Sequence, residues 1–143
     1  MLAEYSAFRL SSILEQGDGM LGSSDAMATI AVKDLTAAGE FYESKVGLKK
    51  LESEEGQVLV YQSGNSKVLV YVSQFAATNK ATAATWVVDD VDDEVRALKG
   101  KGVAFEHYDM PDVRHEGDVH VFGEHRNAWF KDPDGNILSI ASK

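Results

Sequence analysis

Two stretches of the chain repeat each other. Thr29-Ile30-Ala31-Val32-Lys33-Asp34-Leu35 matches Thr85-Trp86-Val87-Val88-Asp89-Asp90-Val91 at a constant offset of 56. Each stretch reads as a strand running into a helix, with an aspartate where a helix N-cap belongs. Behind Asp34, Leu35, Ala38, Phe41, Tyr42 and Val46 form one apolar side and Gly47 supplies the stop. Behind Asp90, Val91, Val95 and Leu98 do the same, closed by Gly100 or Gly102. A second match, Val68–Ser73 with Ile137–Ser142 at an offset of 69, places paired strands at the end of each repeat. Two copies of a βαβββ unit follow, an α+β fold. Asp132-Pro133-Asp134-Gly135 has the residue order of a type I turn, joining strands Asn127–Lys131 and Ile137–Ser142 as a hairpin.

With 143 residues the chain has the size of one domain whose core needs no staples. Residues 27–143 form it: module one over 27–73, a polar connector over 74–82 and module two over 83–142. Residues 1–26 read as an N-terminal extension, a short helix on the face of Leu2, Tyr5, Phe8, Ile13 and Leu14 and then a glycine-rich flexible joint. Composition excludes several classes. There is no cysteine, so no disulfide, thiolate nucleophile or cysteine-bound metal, and the cytoplasm is the expected compartment. The longest apolar run, Val68–Val72, is far short of a membrane span, and the first residues lack the pattern of a secretory signal. A formal charge of −9 without a basic stripe argues against nucleic acid.

The motifs Val32-Lys33-Asp34-Leu35 running into Phe41-Tyr42 and Gly47-Leu48, then Val88-Asp89-Asp90-Val91 running into Leu98 and Gly102-Val103, and last Ala128 to Asn136, resemble the vicinal oxygen chelate superfamily. That superfamily includes glyoxalase I, extradiol dioxygenases, fosfomycin-resistance enzymes and bleomycin-resistance proteins. The resemblance implies two modules whose mixed sheets curl around a shared cavity. It also implies one divalent metal held by a His or Gln at the start of each module's first strand and a Glu on each last strand. Carried over by position, these fall on Met27, Ala83, Ser139 and, through the offset of 69, Val70. None of the four suits a hard divalent ion.

Strand parity gives an independent reading. The larger apolar residues, Ile30, Val32, Leu59, Tyr61, Leu69, Tyr71, Trp86, Val88, Phe130, Leu138 and Ile140, are expected under the helices. The opposite parity, including Val58, Val60, Val68, Val72, Val87, Ile137 and Ala141, lines a wall without His, Asp or Glu. Its ligand-binding candidates are Met27, Thr29, Gln62, Val70, Ala83, Thr85, Trp129, Lys131 and Ser139, with Trp129 as the stacking group. His107, His115, His120 and His125 lie in a stretch rich in acids. From Asp109 to Arg126 it reads as a long loop with at most one short strand near Val119–Phe122, its histidines solvated. His107, at the end of the strand Val103–Tyr108, is the one weak catalytic candidate, as an acid–base group.

The expectation is a metal-independent protein that binds a small, largely apolar or aromatic organic molecule without a cofactor, in the manner of bleomycin-resistance proteins, the net negative charge favouring a cationic one. The alternative is a lyase or isomerase of glyoxalase type, or another enzyme, with an atypical divalent-metal site. The resemblance implies a homodimer; no nucleic acid or membrane partner is expected.

Overall fold

The computed structural model describes residues 20–54 and 56–143. The helix expected near the N-terminus lies outside the described residues, which open with a single 3-10 turn at Leu21–Ser23. Module one contains β1 (Ala28–Val32), helix α1 (Leu35–Glu40), β2 (Lys49–Glu54), β3 (Val58–Ser63) and β4 (Ser66–Val72). Module two contains β5 (Thr82–Val88), helix α2 (Val91–Gly100), β6 (Phe105–Glu106), β7 (Arg114–Glu116), β8 (Val119–Phe122), β9 (His125–Lys131) and β10 (Ile137–Ser142). Both sheets are mixed. The first runs β1-β4-β3-β2 and the second β5-β10-β9-β8-β7, with β6 also on β9. In each module the first strand pairs parallel with the last.

Both predicted caps form. The Asp34 carboxylate accepts from the Ala37 amide and that of Asp90 from the Asp93 amide, each at 3.0 Å. Backbone N–H bonding holds the exposed Asp90 carboxyl below the usual carboxylate range. The first helix departs from the expected regular helix. After Glu40 it widens into a π-turn, Phe41–Lys45, in which the Val46 amide reaches the Phe41 carbonyl at 3.0 Å. Gly47 follows with φ of 84°, the left-handed stop its lack of Cβ permits. Adjacent Phe41 and Tyr42 are both buried.

One core spans both modules and contains Ile30, Val32, Tyr42, Leu59, Tyr61, Val91, Leu98, Phe130, Leu138 and Ile140. It corrects the parity expected for β4. Val70 pairs with Ile30 and Leu59, so it joins Val68 in this core; Leu69 belongs to a separate cluster with Val58 and Val60, against which Tyr71 and Met27 pack. A strand apolar on both faces carries no alternation from which its orientation could be read.

The turn between β9 and β10 ties the modules together. Asp132, 5% exposed, accepts at one carboxylate oxygen from the amides of Asp134 (3.0 Å) and Asn136 (2.9 Å). Its other oxygen accepts from the Tyr42 hydroxyl and the Asn136 side-chain amide, both at 2.8 Å. Asn136 also donates to the Ala31 carbonyl at 2.7 Å, and the Lys33 amide donates to Asp134 at 3.0 Å. Burial, with Asp132 beside it, keeps the Tyr42 phenol protonated by raising its pKa. Asp132→Ala should cost about 3 kcal/mol and Tyr42→Phe about 1 kcal/mol, since one leaves four donors without an acceptor and the other removes one bond. Urea denaturation measures both. Equal losses would show that Asp132 is not the hub.

Candidate functional site

Strand register defines a face of the second sheet that looks away from its helix. Residues directly opposite one another share a face, so Thr85, Ser139, Trp129 and Glu106 form one row across β5, β10, β9 and β6. A second row crosses the sheet through Val87, Ala141, Asn127, His120 and His115. Thr82, Ile137 and Lys131 form a third. The expected wall without His, Asp or Glu is therefore corrected: two imidazoles and a carboxylate stand on it. The two imidazoles, His115 and His120, were missed because the expected loop over 109–126 contains the hairpin of β7 and β8, and Glu106 because β6 pairs with β9 beside Trp129. Gly117-Asp118, with Gly117 at φ of 63°, makes its two-residue turn and was the available signal.

The centre of this face is aromatic. The Trp129 ring meets the edge of Tyr108 at 5.5 Å and His120 at 4.8 Å, and its Nε1 donates to the Thr82 hydroxyl at 3.2 Å. Beside it the Thr85 and Ser139 hydroxyls share a 2.6 Å hydrogen bond. Thr85 and Ala83 are exposed, while Ser139 is buried. Ala83 falls at the shift in β5–β10 register between Ile137 and Leu138. Lys131 is exposed and its Nζ lies 3.4 Å from Glu106.

His120 is fully buried, against the expectation of a solvated side chain. Its Nε2 accepts from the Tyr108 amide at 2.9 Å. Burial lowers its pKa, and the neighbouring His115 and His107 add to the effect. Its Nδ1 and the Tyr108 hydroxyl have no hydrogen-bond partner among the described residues. Burial, with Glu106 nearby, raises the Tyr108 pKa. His115 Nε2 lies 3.1 Å from the Tyr108 carbonyl oxygen. His107 is half-exposed at the edge, 2.7 Å from Asp118, and lies outside the Thr85–Ser139–Trp129 row. Lys99 donates to the other Asp118 oxygen at 2.6 Å, and these two partners, Lys99 first, hold the Asp118 carboxyl low. Arg126 and Arg114 do the same for Glu116.

The module-one candidates divide. Met27 packs on Val58, Val60 and Leu69, and Thr29, opposite Leu69, is exposed. Gln62 is engaged by its own hairpin, donating to the Gly64 carbonyl. Val70 leaves the list, since it faces the core. Leu69 takes its place: Thr29 and Thr85 are equivalent in the repeat, and their partners are Leu69 and Ser139. The four positions that would hold a metal are then Met27, Leu69, Ala83 and Ser139. They offer one thioether and one hydroxyl, the latter already bonded to Thr85, a donor set that does not fit a hard divalent cation. Among the described residues no group of three or more His, Asp or Glu side chains is arranged to hold a metal ion. No helix among them is long and apolar enough to cross a membrane.

Fold and sequence together define a class. Residues 26–140 match the glyoxalase/bleomycin resistance protein/dioxygenase superfamily, and the chain belongs to it. Among curated protein sequences none matches. Among solved structures it is similar to lactoylglutathione lyase from Agrobacterium tumefaciens, with a TM-score of 0.65, 19% identity, and coverage of 84% of this chain and 93% of that one. It is similar to the fosfomycin resistance protein FosX from Listeria monocytogenes, with a TM-score of 0.64, 17% identity, and coverage of 85% and 93%. TnmS3, an antibiotic binding protein from Streptomyces sp. CB03234, gives a TM-score of 0.61 at 23% identity, covering 87% and 98%. At these identities the likeness is one of fold.

His120 supplies a pH prediction. A histidine whose pKa is depressed by folding binds its proton more readily in the unfolded chain, so its contribution is complete above about pH 6.5 and is lost as pH falls below that. Unfolding free energies measured between about pH 7.5 and 5.5 should therefore decline, and His120→Gln should flatten the decline. An unchanged slope in the variant would assign the effect elsewhere.

Proposed function

We propose that this chain binds a small, largely apolar or aromatic organic molecule on the helix-free face of module two, without a divalent metal. The observation that carries the reading is the placement of partly buried Trp129 beside the Thr85–Ser139 hydroxyl pair, with Val87 left 59% exposed on the same face. An aromatic wall with a few fixed polar groups retains a ligand by contact and orients it by hydrogen bonding. The charge of −9 favours a cationic ligand through long-range attraction. The donor set at Met27, Leu69, Ala83 and Ser139 supports retention without a metal. TnmS3, described as an antibiotic binding protein, shares the fold.

A second copy of the chain completes the reading. Open Val87, Ala83 and Thr85 leave one side of the bound molecule uncovered, and a homodimer would close it. A catalytic reading has one observation in its favour, the gathering of His107, His115 and His120 beside Tyr108, where ring centroids lie between 4.5 and 6.2 Å apart. In that case His120 and Tyr108 would exchange protons with the substrate and Trp129 would orient it.

Native mass spectrometry of freshly isolated protein, purified without a histidine tag, tests both. The expected spectrum is a dimer carrying an organic molecule and no ion, with the organic mass absent from Trp129→Ala. Stoichiometric zinc, nickel, manganese or iron would overturn metal independence. A monomer in sedimentation at micromolar concentration would remove the second copy.

A further inference from the structure

We infer that the seam between the two modules, on the helix side of β5, is a second small-molecule site, one that takes an organic ammonium ion with a body of about one ring. A pocket of about 260 Å³ opens there. Its floor is core: Leu98 from α2, Phe130 from β9 and Ile140 from β10. Leu48 of module one and Trp86 of module two also line it, as does the exposed Glu94 of α2, at its rim. The volume falls just below the usual range for drug-sized ligands, which begins at about 300 Å³, so the occupant is a fragment.

Two features make this pocket a built site. The first is a fixed aromatic wall. Trp86 donates its indole N–H to the Ser63 hydroxyl of the other module at 2.9 Å, and its ring stacks on Phe130 with centroids 6.4 Å apart and planes inclined by 28°. Held from both sides, the indole keeps its orientation without a ligand. The second is the charge at the rim. Glu94 makes no ion pair or side-chain hydrogen bond among the described residues, whereas the nearby acids Asp92, Asp93 and Asp89 are paired with Arg126, Arg96 and Lys143. A carboxylate lining the same pocket as an indole, with no ion pair among the described residues, favours a cation whose apolar end enters the pocket. Trp is the strongest cation–π partner, and the protein's net negative charge draws cations toward it.

The site is separate from the face proposed above. Successive residues of a strand point to opposite sides, so Thr85 and Val87 serve the helix-free face while Trp86 and Val88 serve the seam.

The chain has two tryptophans, Trp86 and Trp129, so Trp129→Phe leaves Trp86 as the sole indole. In that background phenethylammonium at millimolar concentration should produce a saturable change in emission, with amide shifts gathered at Ser63, Trp86 and Glu94. Neutral 2-phenylethanol should bind more weakly, and Glu94→Gln, an exposed change on a helix surface, should weaken the ammonium by about fivefold. With Trp129 replaced, emission comes from Trp86 at the seam, and the positions of the amide shifts separate binding there from binding on the altered ligand face. The inference fails if emission does not saturate, if the alcohol binds as well as the ammonium, or if shifts gather around Thr85 and Ser139.

Discussion

A single buried carboxylate organises this molecule. Asp132 collects four hydrogen bonds, one of them from Tyr42 in the other module. A buried carboxylate without such partners would be costly, so the turn, the π-turn of α1 and the end of β1 must form together. The arrangement explains why the two repeats share one core. Tyr42 reaches Asp132 from the π-turn, and Asn136 reaches the Ala31 carbonyl from the β9–β10 turn. Each module supplies a group that the other needs.

The same clamp sets the positions of both proposed ligand surfaces. It anchors the start of β10, and β10 carries Ser139 on one side and Ile140 on the other. β1 and β5, the terminal strands of their sheets, are thereby brought together along the seam. Trp86 and Ser63 then close the far end of that contact. The pocket lies at this end of the seam, lined by Ser63 and Trp86 themselves together with Leu48, Leu98 and Phe130.

Much of the fold was legible because its signals are local. Asp34 and Asp90 cap helices through bonds within one turn, and Asp132 to Gly135 closes its own hairpin with a 2.9 Å bond. The site was less legible, because facing direction is a property of register. In β4 the run Val68–Val72 is apolar throughout, and assigning the larger Leu69 and Tyr71 to the core placed Val70 on the wrong side. The repeat itself gave an offset of 69 where strand pairing requires Leu69 to match Ser139. Three two-residue turns, Gly64-Asn65, Gly117-Asp118 and Gly123-Glu124, begin with a glycine at positive φ. Reading them as hairpins would have placed His115 and His120 beside Trp129 from sequence alone.

β5 joins the two proposed surfaces through alternate residues of one backbone. A displacement of the β5 backbone at Trp86 would carry Thr85 and Val87 with it, because a peptide unit is rigid and neighbouring Cα atoms keep their spacing. Coupling between the surfaces is nonetheless bounded. A ligand at the seam can alter affinity on the other face only by as much as it distinguishes two arrangements of β5. The Trp86–Ser63 bond and the parallel ladder to β10 both resist such a second arrangement. In the proposed reading, the fit of a ligand to Trp129 would therefore set selectivity on the helix-free face largely independently of what occupies the seam.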